Sequence, residues 1–190
     1  MTRLPALVVL LAAGAASAQT SGEATTSPIR PDQVPAAAAV AAPPADVTET
    51  ETTVRRIVEG DGVHVVHLWA PWCGNSTAGL ETGWYETVEA HPDVSFTFVT
   101  IWNDGDDGAA ALRRYGIPER ATVLAQPDRG PSADPDARRR TFLGLPLSWT
   151  PTTWVFNRGG QLAYAFNYGE VTADELAQTI ADAQNAWTHD

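Results

Sequence analysis

Trp69-Ala70-Pro71-Trp72-Cys73-Gly74-Asn75-Ser76 joins two segments of different hydrophobic period, and its reading decides the fold. Upstream, Val63 to Trp69 is a mostly apolar, valine-rich run, the pattern of a strand covered on both faces. Downstream, from Gly74 to about Ala90, apolar residues recur at Leu80, Trp84 and Val88, a helical stripe that His91-Pro92 ends. The octapeptide is therefore a strand-to-helix junction, and it carries the single cysteine of the chain, Cys73. A side chain at a helix start faces unpaired N–H groups and the positive end of the helix dipole, both of which favour an anionic sulfur. One turn on, Ser76 offers an O–H able to donate to that sulfur. The plainer alternative for Cys73 is an inert small hydrophobe, as most lone buried cysteines are.

Outward from the junction, Val94 to Ile101 alternates and then turns apolar, predicting a second strand. Asp106 or Asp107 can cap a short helix running to Tyr115, stopped by Gly116-Ile117-Pro118. Thr122 to Ala125 reads as a short strand, and Asp134 to Leu143 as a short helix between proline-rich breaks. Thr153 to Phe156 and Leu162 to Phe166 read as strands joined by Asn157-Arg158-Gly159-Gly160, a hairpin signal. Thr172-Ala173-Asp174-Glu175 is a capping box opening a helix with the stripe Leu176, Ile180, Ala183 and Trp187. The order is β-α-β-α, an insertion, then β-β-α. It specifies an α/β sandwich with a mixed sheet, parallel units first and an antiparallel hairpin last.

With these elements in place, Trp69–Ser76 resembles the thioredoxin-like family, whose signature is Trp-Cys-x-x-Cys at this junction. Leu68-Trp69-Ala70 before it and Thr150-Pro151-Thr152 after it look like that family too. The long stretch between Cys73 and Pro151 is similar to the exported TlpA/ResA-type branch, which carries an insertion there. The resemblance spans nearly all of residues 51–190 and implies a thioredoxin-like three-layer sandwich with a mixed central sheet. The family's second cysteine corresponds to Ser76, so the site is of Cys-x-x-Ser type and no internal disulfide is available. What the resemblance implies is an exported thiol–disulfide exchange protein of one-cysteine type, working through mixed disulfides at Cys73. Its partners would be protein or low-molecular-weight thiols and disulfides, docking beside Trp72, Gly74, Asn75, Thr150 and Pro151. Pro151 would be the family's cis-proline, packed against the sulfur, and the Thr150 backbone would pair with an extended substrate segment. The alternative is a redox-silent binding module using the same groove. A one-cysteine peroxidase fits less well, since Val66 and Ala70 stand where peroxiredoxins carry Pro and Thr.

His67 occupies the strand position where thioredoxins carry a buried acid. A neutral imidazole there could relay protons beneath Ser76 and Cys73, and the competing reading, favoured of the two, is a core histidine bonded to backbone. His64, three residues away, points to the opposite face, so the pair is not expected to bind a metal. Asp104 to Gly108 lacks the acid and glycine positions of a calcium loop and reads as a polar loop feeding a helix. Arg138-Arg139-Arg140 reads as a solvated face, and Asn75-Ser76-Thr77 as a chance glycosylation triplet. Neither metal nor cofactor is expected.

Composition bounds the rest. The 190 residues include 12 basic and 23 acidic side chains, a formal net charge of −11, and every basic residue is arginine. That balance repels phosphate backbones and anionic lipid, which argues against nucleic acid or membrane-surface partners. Met1-Thr2-Arg3, the apolar run Leu4 to Ala13 and Ala16-Ser17-Ala18 read as a signal peptide over residues 1–18, cleaved after Ala18. Its apolar run is far short of the roughly 20 residues that span a bilayer, so no membrane insertion is expected after cleavage. The destination is the periplasm or the extracellular space. Residues 19–50, with Pro28, Pro31, Pro35, Pro43 and Pro44 and no aromatic residue, read as a disordered Ala/Pro-rich linker. The thioredoxin-like domain then occupies residues 51–190, and the sequence sets no oligomeric state.

Overall fold

A computed structural model describes residues 46–170 and 172–185 of the chain. The signal-peptide reading, residues 19–45 of the linker and the Trp187 end of the last helical stripe lie outside the described residues. Strand β1 (Val63–Trp69) is buried at all seven positions, as a valine-rich run covered on both faces requires. It pairs in parallel with β2 (Val94–Thr100), which pairs in parallel with β3 (Thr122–Ala125). On its other side β1 pairs antiparallel with β6 (Thr152–Phe156), and β6 with β7 (Leu162–Asn167). The result is a five-stranded mixed sheet of order β3-β2-β1-β6-β7. Strand order and direction are those of the thioredoxin-like sandwich that the sequence implies.

Successive β1 side chains leave the sheet on opposite faces, so the core is divided by strand parity. Val63, Val65 and Trp69 pack with Leu80, Trp84, Val88, Leu112 and Ile180 from α2 (Gly74–Glu81), α3 (Trp84–Ala90), α4 (Ala109–Arg114) and α5 (Ala173–Gln184). Val66 and Leu68 pack with Val54 and Val58 of α1 (Glu49–Val58) and with Phe142, Leu147 and Trp154. Helices thus cover one face of the sheet, while α1 and the insertion cover the other.

Four local readings differ from the structure. Helix α1 has no counterpart in the sequence reading, although Thr48-Glu49-Thr50-Glu51 forms a capping box with both reciprocal hydrogen bonds. The single helix expected over Gly74 to Ala90 is two, α2 and α3. It breaks at Thr82-Gly83, where Gly83 takes φ 129°, a conformation closed to most residues. Helix α4 is capped by Gly108 rather than by an aspartate, although Asp106 and Asp107 each accept a backbone N–H beside it. A side chain cannot stand at that cap, because a Cβ there would lie 2.7 Å from the Trp69 ring. Last, residues 134–143 form turns and not a helix. They lead into a hairpin of β4 (Thr141–Phe142) and β5 (Leu145–Pro146), joined by Leu143 and Gly144, both at positive φ. Phe142 is fully buried there, so long-range packing of its ring overrides the local helical pattern.

Candidate functional site

Cys73 is the N-cap of α2, with an extended backbone at φ −88°, and is half-buried. Its position follows from the chain: Pro71 and the turn closed by Cys73 N–H to Ala70 O separate the end of β1 from the first turn of the helix. The thiol donates to the carbonyl oxygen of Thr150 at 3.4 Å. Thr150 enters the site because β6 lies beside β1, with Leu68 opposite Thr152, and the Thr150–Pro151 peptide bond just before it is cis. The structure therefore brings Cys73, Thr150 and Pro151 together. Gly74 and Asn75 are exposed on the first turn of α2.

Ser76 is completely buried. Its oxygen accepts the Ala70 N–H at 3.2 Å and shares a hydrogen bond of 3.3 Å with the Thr150 hydroxyl. The expected donation from Ser76 to the sulfur is not made; the hydroxyl ties the strand end to the Thr150 loop instead. The reason is positional: at the first turn of α2 the side chain reaches the Ala70 N–H at the end of β1 and the Thr150 hydroxyl, and its hydrogen bonds are taken there.

His67 is buried on β1, on the face of the α2–α5 layer. Its Nδ1 hydrogen-bonds the Thr153 hydroxyl at 3.0 Å, and its ring lies against Trp84, 4.3 Å between centroids, and edge-on to Phe98. Burial pushes its pKa down from 6.5 to about 3, so the imidazole is neutral. No hydrogen bond links it to Ser76 or Cys73, and its partner is the side chain of Thr153, not backbone. His64 turns the other way, with Nε2 on the Gly60 carbonyl at 3.1 Å. Among the described residues no group of three or more His, Cys, Asp or Glu side chains is placed to hold a metal.

Trp102, Arg138 and Trp149 are not among the site residues that the sequence reading names. Trp72 is 54% exposed, yet its indole N–H donates to the Trp102 carbonyl at 2.8 Å. The guanidinium of Arg138 lies over both rings, 5.5 Å from Trp72 and 5.6 Å from Trp102. So the arginine run is no free solvated face: Arg138 stacks at the rim of the site, and Arg139 pairs with Asp46 at 2.9 Å. The sole sequence signal was the run itself, and nothing local in it names two tryptophans 66 and 36 residues away as partners. Trp149, directly before Thr150 in the chain, is 65% exposed.

No family model matches the chain, and no curated protein does. Several solved structures are similar to it. One is a secreted Mycobacterium tuberculosis disulfide oxidoreductase homologous to Escherichia coli DsbE, at 19% identity over 66% of this chain and 85% of that one, with a TM-score of 0.47. A DsbF homologue from Corynebacterium diphtheriae is 22% identical over 65% and 73% of the two chains, with a TM-score of 0.45. A secreted thiol-disulfide isomerase from Corynebacterium glutamicum is 18% identical over 65% and 71%, with a TM-score of 0.46. These likenesses are too distant to carry a function across, and the thioredoxin-like arrangement rests on the strand order and direction of the chain itself.

Proposed function

We propose that this chain is an exported thiol–disulfide exchange protein of one-cysteine type. The observation that supports it best is the placement of the Cys73 thiol: half-buried, at the start of α2, and donating to the Thr150 carbonyl. In the reaction, the Cys73 thiolate attacks one sulfur of an external disulfide, RSSR′, forming Cys73–S–S–R and expelling R′S⁻. A second external thiolate, R″S⁻, then attacks the R sulfur, releasing RSSR″ and restoring the Cys73 thiolate. The first step oxidises Cys73 to the mixed disulfide and the second restores it, so the two together leave no net oxidation of the protein, which is what one cysteine permits. Trp72, Gly74, Asn75, Thr150 and Pro151 form the rim on which the R group docks. Ser76 holds Ala70 and Thr150 in register beneath the sulfur, and His67 is a neutral positioning residue through Thr153. Export follows from the residue 1–18 signal pattern, with the periplasm or extracellular space as destination. No helix among the described residues is long and apolar enough to cross a membrane.

A second reading, a redox-silent binding module with the same groove, is favoured by one feature. The Ser76 hydroxyl is spent on Ala70 and Thr150, leaving the sulfur without a hydroxyl donor from the motif. Kinetics separate the two. The folded protein should form an adduct with oxidised glutathione at least tenfold faster than the urea-unfolded chain at the same pH, followed by intact mass. Cys73→Ala should form none. Equal folded and unfolded rates would leave the binding-module reading standing.

A further inference from the structure

The parallel strands β1, β2 and β3 release their chains at one end of the sheet, the end at which open α/β sheets hold ligands. The loops that follow them line a cavity of about 230 Å³, larger than the roughly 150 Å³ that accepts benzene in an engineered apolar cavity. Trp72 comes from the loop after β1, Trp102 and Asp104 from the loop after β2, and Ser132 and Arg138 from the insertion after β3. Trp72 directly precedes Cys73, so the cavity adjoins the exchange site. Asp104 and Arg138 are its two charged residues, and buried Ser132 fixes both. The Ser132 N–H donates to Asp104 Oδ1 at 2.6 Å, and Arg138 Nε donates to the Ser132 carbonyl at 2.7 Å. A carboxylate and a guanidinium are thereby held at the two ends of one residue. Yet no ion pair joins them to each other or to any other side chain among the described residues. The rings of Trp72 and Trp102 under the guanidinium restrain it further. Trp102 and Asp104 both take positive φ, 55° and 50°, a backbone that residues other than glycine rarely adopt and that clusters at ligand sites.

We infer that this cavity is the head-group subsite for the substrate of Cys73, a low-molecular-weight disulfide ending in a zwitterionic α-amino acid group, with its ammonium on Asp104 and its carboxylate on Arg138. The inference rests on the exchange reading and narrows it. Two fixed and unpaired charges of opposite sign ask for a ligand carrying the reverse pair, which neither a simple anion nor a simple cation supplies. A polypeptide carries its terminal amino and carboxyl groups at opposite ends, so a substrate with both on one carbon is a small molecule. Trp72 and not Cys73 lines the cavity, so the head group stands several bonds from the sulfur. A γ-glutamyl peptide of cysteine has that shape, whereas cystine carries its charges beside the disulfide. The chemistry is that of the exchange: the Cys73 thiolate breaks the S–S bond of RSSR, Cys73–S–S–R forms and RS⁻ leaves, with the head group of the retained R seated in the cavity. An external thiolate R″S⁻ then releases RSSR″ and restores the Cys73 thiolate.

The test is a titration of the full chain with S-methylglutathione, which has the head group but no reactive sulfur, observed by NMR at the indole N–H of Trp72 and Trp102. Both signals should shift saturably. Acetylating the ligand's amine or amidating its α-carboxylate should each weaken binding about fivefold, the scale of one partly exposed ion pair. In Asp104→Asn, whose amide oxygen still accepts the Ser132 N–H, acetylation should make no difference; in Arg138→Gln, amidation should make none. A residue that only shaped the loop would weaken every ligand alike and leave those ratios intact. If either variant does not fold, the wild-type ratios decide. At saturation S-methylglutathione should also slow adduct formation between Cys73 and oxidised glutathione. Absence of saturable shifts, equal affinity for blocked and unblocked ligands, or an adduct rate that does not slow would each overturn the inference. Failure of the exchange reading itself looks different: the folded and unfolded chains then form the adduct at equal rates with no S-methylglutathione present.

Discussion

Burial drives the His67 pKa from 6.5 to about 3, which couples one side chain to the stability of the whole fold. The unfolded chain takes up a proton below about pH 6.5, while the folded chain does not until near pH 3. The contribution is therefore complete above pH 6.5 and is lost progressively as pH falls through that window, at about 1.4 kcal/mol per pH unit. From pH 6.5 to 5, before most carboxylates titrate, the wild type should lose roughly 2 kcal/mol relative to His67→Gln, measured by urea unfolding at each pH. Parallel pH curves would show that His67 is not buried neutral. Ser76 provides a second residue-scale prediction. It sits one turn after Cys73, where Cα atoms are roughly 5–5.5 Å apart, within the range of about 4.4–6.8 Å between Cα atoms that a disulfide tolerates. Ser76→Cys should close an internal disulfide under mild oxidation, read as a two-dalton mass loss in a protein that stays folded. Two persistently free thiols in the folded variant would contradict the placement of residue 76.

Element starts and stops are set here by contacts as much as by propensity. Gly108 caps α4 at φ 66° because Trp69, the last residue of β1, fills the space a Cβ would need. Gly108→Ala would combine a left-handed backbone with a clash against a fully buried ring, and should cost about 1–3 kcal/mol. Thermal unfolding checks this, with Gly105→Ala as control: that loop glycine also has positive φ but no atom within 4 Å of its would-be Cβ. An equal loss in both variants would assign the effect to the backbone alone. Helix α1 shows the opposite balance, because its start is a local capping box. Yet Glu51 also reaches the Leu143 N–H at 2.9 Å, so the same carboxylate that closes the cap anchors the insertion hairpin.

On the scale of the whole molecule, the insertion is a strap from α1 to the rim of the cysteine site. Asp46 pairs with Arg129 and Arg139, and these guanidinium partners hold its carboxyl below the usual carboxylate range. Between those anchors Arg138 donates to the Ser132 carbonyl and lies across Trp72 and Trp102. The strap thereby restrains the exposed indole beside Cys73. Arg138→Ala should leave the fold intact, cost about 1 kcal/mol, and make the indole of Trp72 more accessible to a collisional quencher. Arg138→Lys, which keeps a cation but not a flat one, should restore only part of the protection. Unchanged quenching in Arg138→Ala would show that Trp72 is held by Trp102 alone.

The strand-to-helix junction at Cys73, the β-α-β-α then β-β-α order and the Thr172–Glu175 capping box were legible in the sequence by itself. Each is carried by period, capping residues or turn residues acting over a few positions. Helix α1 is missed by the sequence reading although the Thr48–Glu51 box signals it, because its apolar stripe is short and its neighbours read as linker. The tertiary structure alone decided the rest. Whether Ser76 serves the sulfur or the backbone, whether His67 meets Thr153, and whether Arg138 is solvated or stacked depend on which side chain arrives from 30 to 90 residues away. So does the replacement of an expected helix at residues 134–143 by turns and a hairpin around buried Phe142. Local pattern sets which way a residue can point; the atoms it meets there are supplied by the packing of distant elements, and no spacing within the motif encodes them.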